Sequence, residues 1–123
     1  MTPSFSALFP SIMYAGEIEK MRLVGNVHGK NVLIVDDIID SGGTLLEAAN
    51  LLIENGAKDI YCYATHGIFT KGVAELLQKF KRVITSNTHY QEADGVEIVD
   101  MSPIFAEAIY RAHKGLSISK LFN

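Results

Sequence analysis

From Asn31 the chain reads Val32-Leu33-Ile34-Val35 and then Asp36-Asp37, four apolar residues closed by two acids. An unbroken apolar run of this length predicts a short strand buried on both faces, ending where polar chemistry can sit. After Ser41-Gly42-Gly43, the segment Thr44 to Asn55 sets Leu45, Ala48, Ala49, Leu52 and Ile53 on one helical face, with Gly56 as the stop. The alternation then repeats: an apolar and aromatic strand from Asp59 to Thr65, a helix from Lys71 to Phe80, and a strand from Arg82 to Thr85. Gly95 to Val99 reads as one more strand, and Pro103 suits the first turn of a helix running to about His113. Ser117 to Phe122 forms a short helical or extended tail. Ahead of the first buried strand, Met21 to Asn26 reads as a short strand and Val27 to Lys30 as a turn containing Gly29. Strands alternating with helices define an α/β class with a parallel sheet and flanking helices.

Composition narrows the partners. With 123 residues, 48% hydrophobic and 20% charged, the chain holds one modest core and no second ordinary domain. A net charge of -3 supplies no basic field for gripping a nucleic-acid backbone, which leaves small molecules or protein surfaces. Cys62 is the single cysteine, so no intramolecular disulfide is possible, and a reducing, cytoplasmic compartment is expected. The stretch Met1 to Tyr14 is apolar but lacks a basic lead-in and is broken by Pro3 and Pro10, a poor signal peptide. No apolar run approaches the roughly 18 residues of a membrane span.

The candidate chemistry lies between strand and helix, in a loop that is acidic first and glycine-rich second. A helix amino terminus exposes backbone N–H groups and partial positive charge, so Ser41 to Thr44 can wrap a phosphate, with Gly42 and Gly43 allowing close approach. Asp36 and Asp37 just upstream suit vicinal sugar hydroxyls or a hydrated magnesium ion. Together the two halves describe a sugar phosphate. No lysine follows the glycines as a Walker A loop requires, and the three-glycine dinucleotide fingerprint is missing. Thr44 and Glu47 are also spaced as a capping box, a purely structural role that can coexist with ligand binding.

The segment Val35-Asp36-Asp37-Ile38-Ile39-Asp40-Ser41-Gly42-Gly43-Thr44 resembles the phosphoribosyl pyrophosphate motif of type I phosphoribosyltransferases and ribose-phosphate pyrophosphokinases. Tyr63-Ala64-Thr65-His66-Gly67-Ile68-Phe69 and the tail from Ala106 to Phe122 resemble the pyrophosphokinases and not orotate or adenine phosphoribosyltransferases. The likeness runs from about Glu17 to Phe122. It implies a truncated type I phosphoribosyltransferase-like domain over 17–123, the carboxy-terminal part of a synthetase, preceded by a divergent apolar segment over 1–16. It further implies transfer of a diphosphoryl group from ATP to ribose 5-phosphate with Mg2+, giving phosphoribosyl pyrophosphate and AMP. By that resemblance Asp36 and Asp37 meet the ribose hydroxyls and hold the metal, and Asp40, Ser41, Gly42, Gly43 and Thr44 cradle the 5-phosphate. Ser117, Ser119 and Phe122 match positions of the family's regulatory nucleotide site, which takes ATP or ADP.

Departures from the family pattern are equally specific. Upstream of Glu17 the family carries a lysine- and arginine-bearing loop, whereas here no basic residue precedes Lys20. Loss of charge neutralisation predicts negligible synthetase activity for the isolated chain. The alternatives are a non-catalytic regulatory or binding subunit of a complete synthetase and, less well matched, a phosphoribosyltransferase. Two strands of the family's sheet also have no counterpart, so Val32 to Val35 is expected at an edge. Either homo-oligomerisation or Met1 to Tyr14, with Phe5, Leu8, Phe9, Ile12 and Met13, would then cover it. Thr70-Lys71-Gly72 replaces the usual Ser-Gly-Pro turn, and His89-Tyr90 an Ile-Pro pair. His66, at the end of a strand, can face the ligand but reads first as a turn or supporting residue; His28, His89 and His113 read as surface or cap residues, and Cys62, Tyr61 and Tyr63 as strand packing.

Overall fold

A computed structural model describes residues 5–8, 13–14, 17–18, 23, 25–90 and 93–122. Its elements follow in chain order: β1 (Phe5–Leu8), β2 (Met13–Tyr14), β3 (Glu17–Ile18), β4 (Asn31–Ile39), α1 (Gly43–Glu54), β5 (Ile60–Gly67), α2 (Ala74–Lys79), β6 (Arg82–Ser86), β7 (Glu97–Val99), α3 (Ser102–Lys114) and a 3-10 turn over Ser119–Phe122. Five strands form one sheet in the order β1-β4-β5-β6-β7, every adjacent pair parallel, and β2 pairs with β3 in an antiparallel ribbon. The expected α/β class with a parallel sheet is what the chain adopts.

The register explains where the core sits. Val32, Ile34, Ile60, Cys62, Ala64 and Val83 share one face of the sheet and are buried under Leu45, Ala48, Ala49 and Leu52 of α1 and Leu76 of α2. Right-handed crossovers that step across the sheet in one direction deliver both helices to the same side. Leu33, Val35, Tyr63 and Ile84, on the other face, are only partly buried. Over the apolar run Val32 to Val35, burial is therefore complete on one face and partial on the other, not complete on both as the run suggested.

Several boundaries differ from expectation for identifiable reasons. β4 continues through Asp36 and Asp37 to Ile39, because its ladder with β5 persists to the Ile39–Gly67 pair. Ile53 is 48% exposed and leaves the apolar face of α1 to Leu45, Ala48, Ala49 and Leu52. That helix closes with Gly56 at φ 82°, its N–H bonded to Ile53 O (3.0 Å) and the Ala57 N–H to Leu52 O (3.0 Å), the double bond of a glycine stop. α2 is shorter than the predicted Lys71–Phe80 span, since Gly72 (φ 76°) closes a turn on Phe69 O and Phe80 is extended. The Val27–Lys30 turn forms around Gly29, with Lys30 N–H donating to Val27 O at 3.0 Å.

Of the two covers expected for the edge at Val32 to Val35, the segment Met1 to Tyr14 supplies one through its backbone. β1 lies beside β4 over Phe5↔Asn31 to Leu8↔Ile34, so β4 is an interior strand. The cover assigned to the side chains of Phe5, Leu8, Phe9, Ile12 and Met13 lies outside the described residues. The same holds for Met21, Arg22 and Val24 of the strand expected over Met21 to Asn26; Leu23, Gly25 and Asn26, which are described, are not in a strand. Among the described residues, no helix is long and apolar enough to cross a membrane.

Candidate functional site

The carboxyl ends of β4, β5, β6 and β7 converge at one rim of the sheet, the region where open parallel sheets place ligands. β4 delivers Asp36 and Asp37 to that rim. Asp37 N–H donates to Asp36 Oδ1 at 2.8 Å, which turns the Asp36 carboxyl toward its neighbour. Partial burial, and then the Asp37 carboxyl beside it, raise the Asp36 pKa above the ordinary carboxylate range. Two adjacent acids held in this way favour a proton, a hydroxyl donor or a cation between them. Among the described residues no group of three or more His, Cys, Asp or Glu could hold a metal. Two carboxylates alone are too few for an all-protein magnesium cage, so a magnesium ion would fit here only with most of its ligands drawn from water or another molecule.

The loop Asp40-Ser41-Gly42 then swings the chain into α1. Gly42, at φ 84°, opens the helix in a left-handed conformation that a side chain would strain, and a Cβ there would meet Leu76 Cδ1 at 3.3 Å. Having no side chain, Gly42 cannot cap the first turn; the nearest substitute is Ser41 Oγ, which accepts from Gly43 N–H at a long 3.4 Å. No acid lies in that first turn. The capping box expected of Thr44 and Glu47 does not form, because Thr44 falls inside the helix and not at its cap. Beyond Gly43, the first-turn N–H groups have no side-chain cap among the described residues. Beside them a cleft of about 160 Å³ is lined by Ser41, Gly43, Lys71 and Glu75 among others, which brings Lys71 from the β5–α2 loop to the glycine loop.

That neighbouring loop is tied down by backbone bonds. Ile68 N–H (2.9 Å) and Phe69 N–H (3.3 Å) both donate to Ile39 O, and Thr70 N–H donates to Asp40 O at 3.0 Å. Phe69 sits at φ 53°, a left-handed conformation costing a non-glycine residue about 1 kcal/mol or more. Its buried ring rests on Gly67, where a Cβ would collide with the ring and reach 2.9 Å from Thr85 Cγ2. The two loops are thus built as one unit.

Residues that the sequence did not single out complete the rim. The Ser86 and Thr88 hydroxyl oxygens, at the end of β6, lie 2.5 and 3.0 Å from the Thr65 carbonyl oxygen, and Thr88 Oγ1 lies 2.6 Å from His66 Nδ1. Asn87 clasps the start of α3: its Nδ2 donates to Asp100 Oδ1 (2.8 Å) and its Oδ1 accepts from Met101 N–H (2.9 Å). The only signal available was the cluster of short polar residues directly after an apolar strand. At the far end of the chain, Ser117 Oγ and Ser119 Oγ are 2.8 Å apart, Arg111 holds the Ser117 carbonyl, and Phe122 is 78% exposed. Described hydrogen bonds join this tail to α3 and not to the β4–α1 loop.

Cys62 is buried in β5, where burial pushes its thiol pKa up to about 12, in keeping with its reading as a small packing residue.

An open parallel sheet whose acidic strand end runs into a glycine turn at the head of a helix sets this chain in the α/β class of parallel-sheet proteins. The comparisons specify the family. The family model of the phosphoribosyl synthetase-associated domain matches residues 5–123, and the chain belongs to that family. It is 40% identical over 114 residues to a ribose-phosphate pyrophosphokinase of Caldanaerobacter subterraneus subsp. tengcongensis, covering 88% of this chain and 36% of that protein. It is 41% identical over 123 residues to ribose-phosphate pyrophosphokinase 4 of Saccharomyces cerevisiae, covering 97% of this chain and 38% of that protein. A crystal structure of phosphoribosylpyrophosphate synthetase from Mycobacterium smegmatis superposes with a TM-score of 0.70 at 33% identity, over 80% of this chain and 35% of that one. The chain thus spans little more than a third of the length of these relatives.

Proposed function

We propose that the β4–α1 loop binds ribose 5-phosphate, or the corresponding end of phosphoribosyl pyrophosphate, as part of ribose-phosphate pyrophosphokinase chemistry. One observation carries this reading: a pair of mutually close carboxylates stands immediately upstream of a helix whose first turn has neither a capping side chain nor an acid. Asp36 and Asp37 accept hydrogen bonds from vicinal hydroxyls. The backbone over Asp40 to Thr44, with the Ser41 and Thr44 hydroxyls, surrounds the 5-phosphate, and a phosphate at such a terminus gains up to about 2 kcal/mol from the helix dipole. Asp36 and Asp37 are the residues that would hold Mg2+, which would supply charge neutralisation for phosphate oxygens at this rim.

The family's net reaction, ATP with ribose 5-phosphate giving phosphoribosyl pyrophosphate and AMP, is the activity this loop serves. A polypeptide of these 123 residues alone is proposed to bind without turning over at a useful rate. Its described site offers Lys71 as a nearby cation, but not the several positive groups that phosphoryl transfer uses to position and neutralise its substrates. A second reading, a binding or regulatory subunit acting on a complete synthetase, is favoured by the apolar side chains that α3 exposes and by Phe122, which offers an open ring for stacking on a nucleotide base beside Ser117 and Ser119.

Calorimetric titration with ribose 5-phosphate, with and without magnesium, tests the proposal. Saturable heat that Asp40→Asn weakens supports it, whereas no heat at millimolar ligand refutes it. AMP released from ATP and ribose 5-phosphate at rates typical of kinases would instead overturn the expected inactivity.

A further inference from the structure

His66 closes β5 at the site rim, where the register sets it beside Ile38 and on the same face as Asp36, two residues earlier. The residue is exposed, and its Nδ1 contacts Thr88 Oγ1. Three short contacts run inward from it in series: His66 Nδ1 to Thr88 Oγ1 at 2.6 Å, Thr88 Oγ1 to Ser86 Oγ at 2.7 Å, and Ser86 Oγ to the Thr65 carbonyl at 2.5 Å.

Each contact needs one proton to be a hydrogen bond and not an approach of lone pairs. The carbonyl brings none, and each hydroxyl brings one. If the imidazole carried its proton on Nε2, two protons would have to serve three contacts, leaving one pair of acceptors face to face in a part-buried setting. A proton on Nδ1 resolves this, with His66 donating to Thr88, Thr88 to Ser86 and Ser86 to Thr65. Thr88 can also turn its hydroxyl to Thr65 O at 3.0 Å, and this alternative equally requires Nδ1 to be the donor. The Thr88 N–H, donating to Ser86 Oγ at 3.2 Å, fixes the orientation of the middle member.

We infer that His66 is a ligand-contacting residue of the sugar-phosphate site, held by the Thr88–Ser86–Thr65 chain with Nδ1 protonated so that Nε2 offers a hydrogen-bond acceptor to a ligand hydroxyl. This rests on the ribose 5-phosphate reading and extends it. Asp36 and Asp37 are anionic acceptors that also attract cations; a neutral imidazole nitrogen accepts a hydroxyl proton without adding charge beside the phosphate. The chain joins two strands, so the ring orientation is set by the sheet and not by the His66 backbone alone.

The test combines tautomer and affinity. In two-bond 1H–15N spectra of the free protein, recorded at alkaline pH, His66 is expected as the Nδ1–H form, with Thr88→Val shifting it toward Nε2–H. Ribose 5-phosphate affinity should fall about fivefold to tenfold in His66→Asn, the loss of roughly one hydrogen bond. The asparagine amide can replace the donation to Thr88, so this variant should retain wild-type thermal stability. Thr88→Val should weaken binding less, through misorientation. Three results would overturn the inference in distinguishable ways. A predominant Nε2–H form in the wild type removes its basis. Binding that Asp40→Asn weakens but His66→Asn leaves unchanged removes His66 from the site while sparing the sugar-phosphate reading. Absence of ribose 5-phosphate binding in the wild type removes both.

Discussion

The segment from β4 to β6 and the segment from β7 to the carboxy-terminal tail are built by different forces. In the first, α1 and α2 bury Leu45, Ala48, Ala49, Leu52 and Leu76 against the sheet, and the helices exist because that face is covered. In the second, α3 has no buried residue, β7 is exposed along its length, and Ile109 and Phe122 are 71% and 78% exposed. Its helix is held by local devices instead: Pro103 in the first turn, Asp100 accepting from Ser102 N–H at 2.9 Å, an Arg111–Glu107 pair four residues apart, and a glycine stop at Gly115. Helix formation and helix packing are thus separable, and only the first segment shows both.

The largest effect that should expose this contrast is in the core. Leu52→Ala, at a fully buried position, should cost about 2–5 kcal/mol in urea unfolding, whereas Ile109→Ala should stay within about 0.5 kcal/mol. Equal losses would mean that α3 is packed after all. Gly67→Ala comes next, since the added Cβ meets the Phe69 ring and Thr85; we expect about 1–3 kcal/mol lost, with disturbance of both loops at the rim. Cys62 should react with an aromatic disulfide reagent only on global unfolding, its thiol being buried and poorly ionised. A rapid reaction in buffer would show that the sheet opens locally.

The smallest effects should differ in sign between the two segments. Asp36 has a raised pKa in the folded chain, so the folded state binds that proton more tightly than the unfolded state does. Its contribution to stability therefore improves as pH falls from neutrality through the raised value. Asp100 is lowered by its hydrogen bonds from Ser102 and Asn87, so its contribution is present above the ordinary carboxylate pKa and lost as pH falls through the depressed one. Asp36→Asn should raise the melting temperature slightly at pH 7 while weakening ribose 5-phosphate binding. Asp100→Asn should lower the melting temperature at pH 7, an effect that fades in acid. Melting curves of both variants from pH 3 to 7 would show the opposed trends, and parallel trends would contradict them.

The local parts of this molecule were legible in the sequence. The Val32–Val35 run, the Leu45/Ala48/Ala49/Leu52 stripe and the turn residues Gly29 and Gly56 each encode an element within a few positions, and the order of elements implied a parallel sheet. The continuation of β4 through Asp36 and Asp37 was not legible, because two acids look like a strand end and only the ladder to β5 keeps them in it. Nor was β1, whose pairing joins residues 26 positions apart, as in Phe5 with Asn31. At the candidate site the glycine loop could be read as a contiguous motif. Its supports could not: His66 and Thr65 meet Thr88 and Ser86 from 21 to 23 residues away, and Phe69 takes its left-handed conformation from a neighbouring loop. The capping box was misread for a related reason, since pairing carries β4 to Ile39, α1 opens at Gly42, and Thr44 lies beyond the cap.

The most direct test of the sugar-phosphate loop is to follow its backbone amides in 1H–15N spectra while ribose 5-phosphate is added. The expected result is saturable shifts concentrated at Ser41, Gly42, Gly43 and Thr44, with smaller ones at Asp36 and Asp37, none at Ile109 or Tyr110 of α3, and a weaker response in Asp40→Asn. Shifts spread evenly over the molecule, or confined to α3 and the tail, would contradict a phosphate-holding loop at the head of α1.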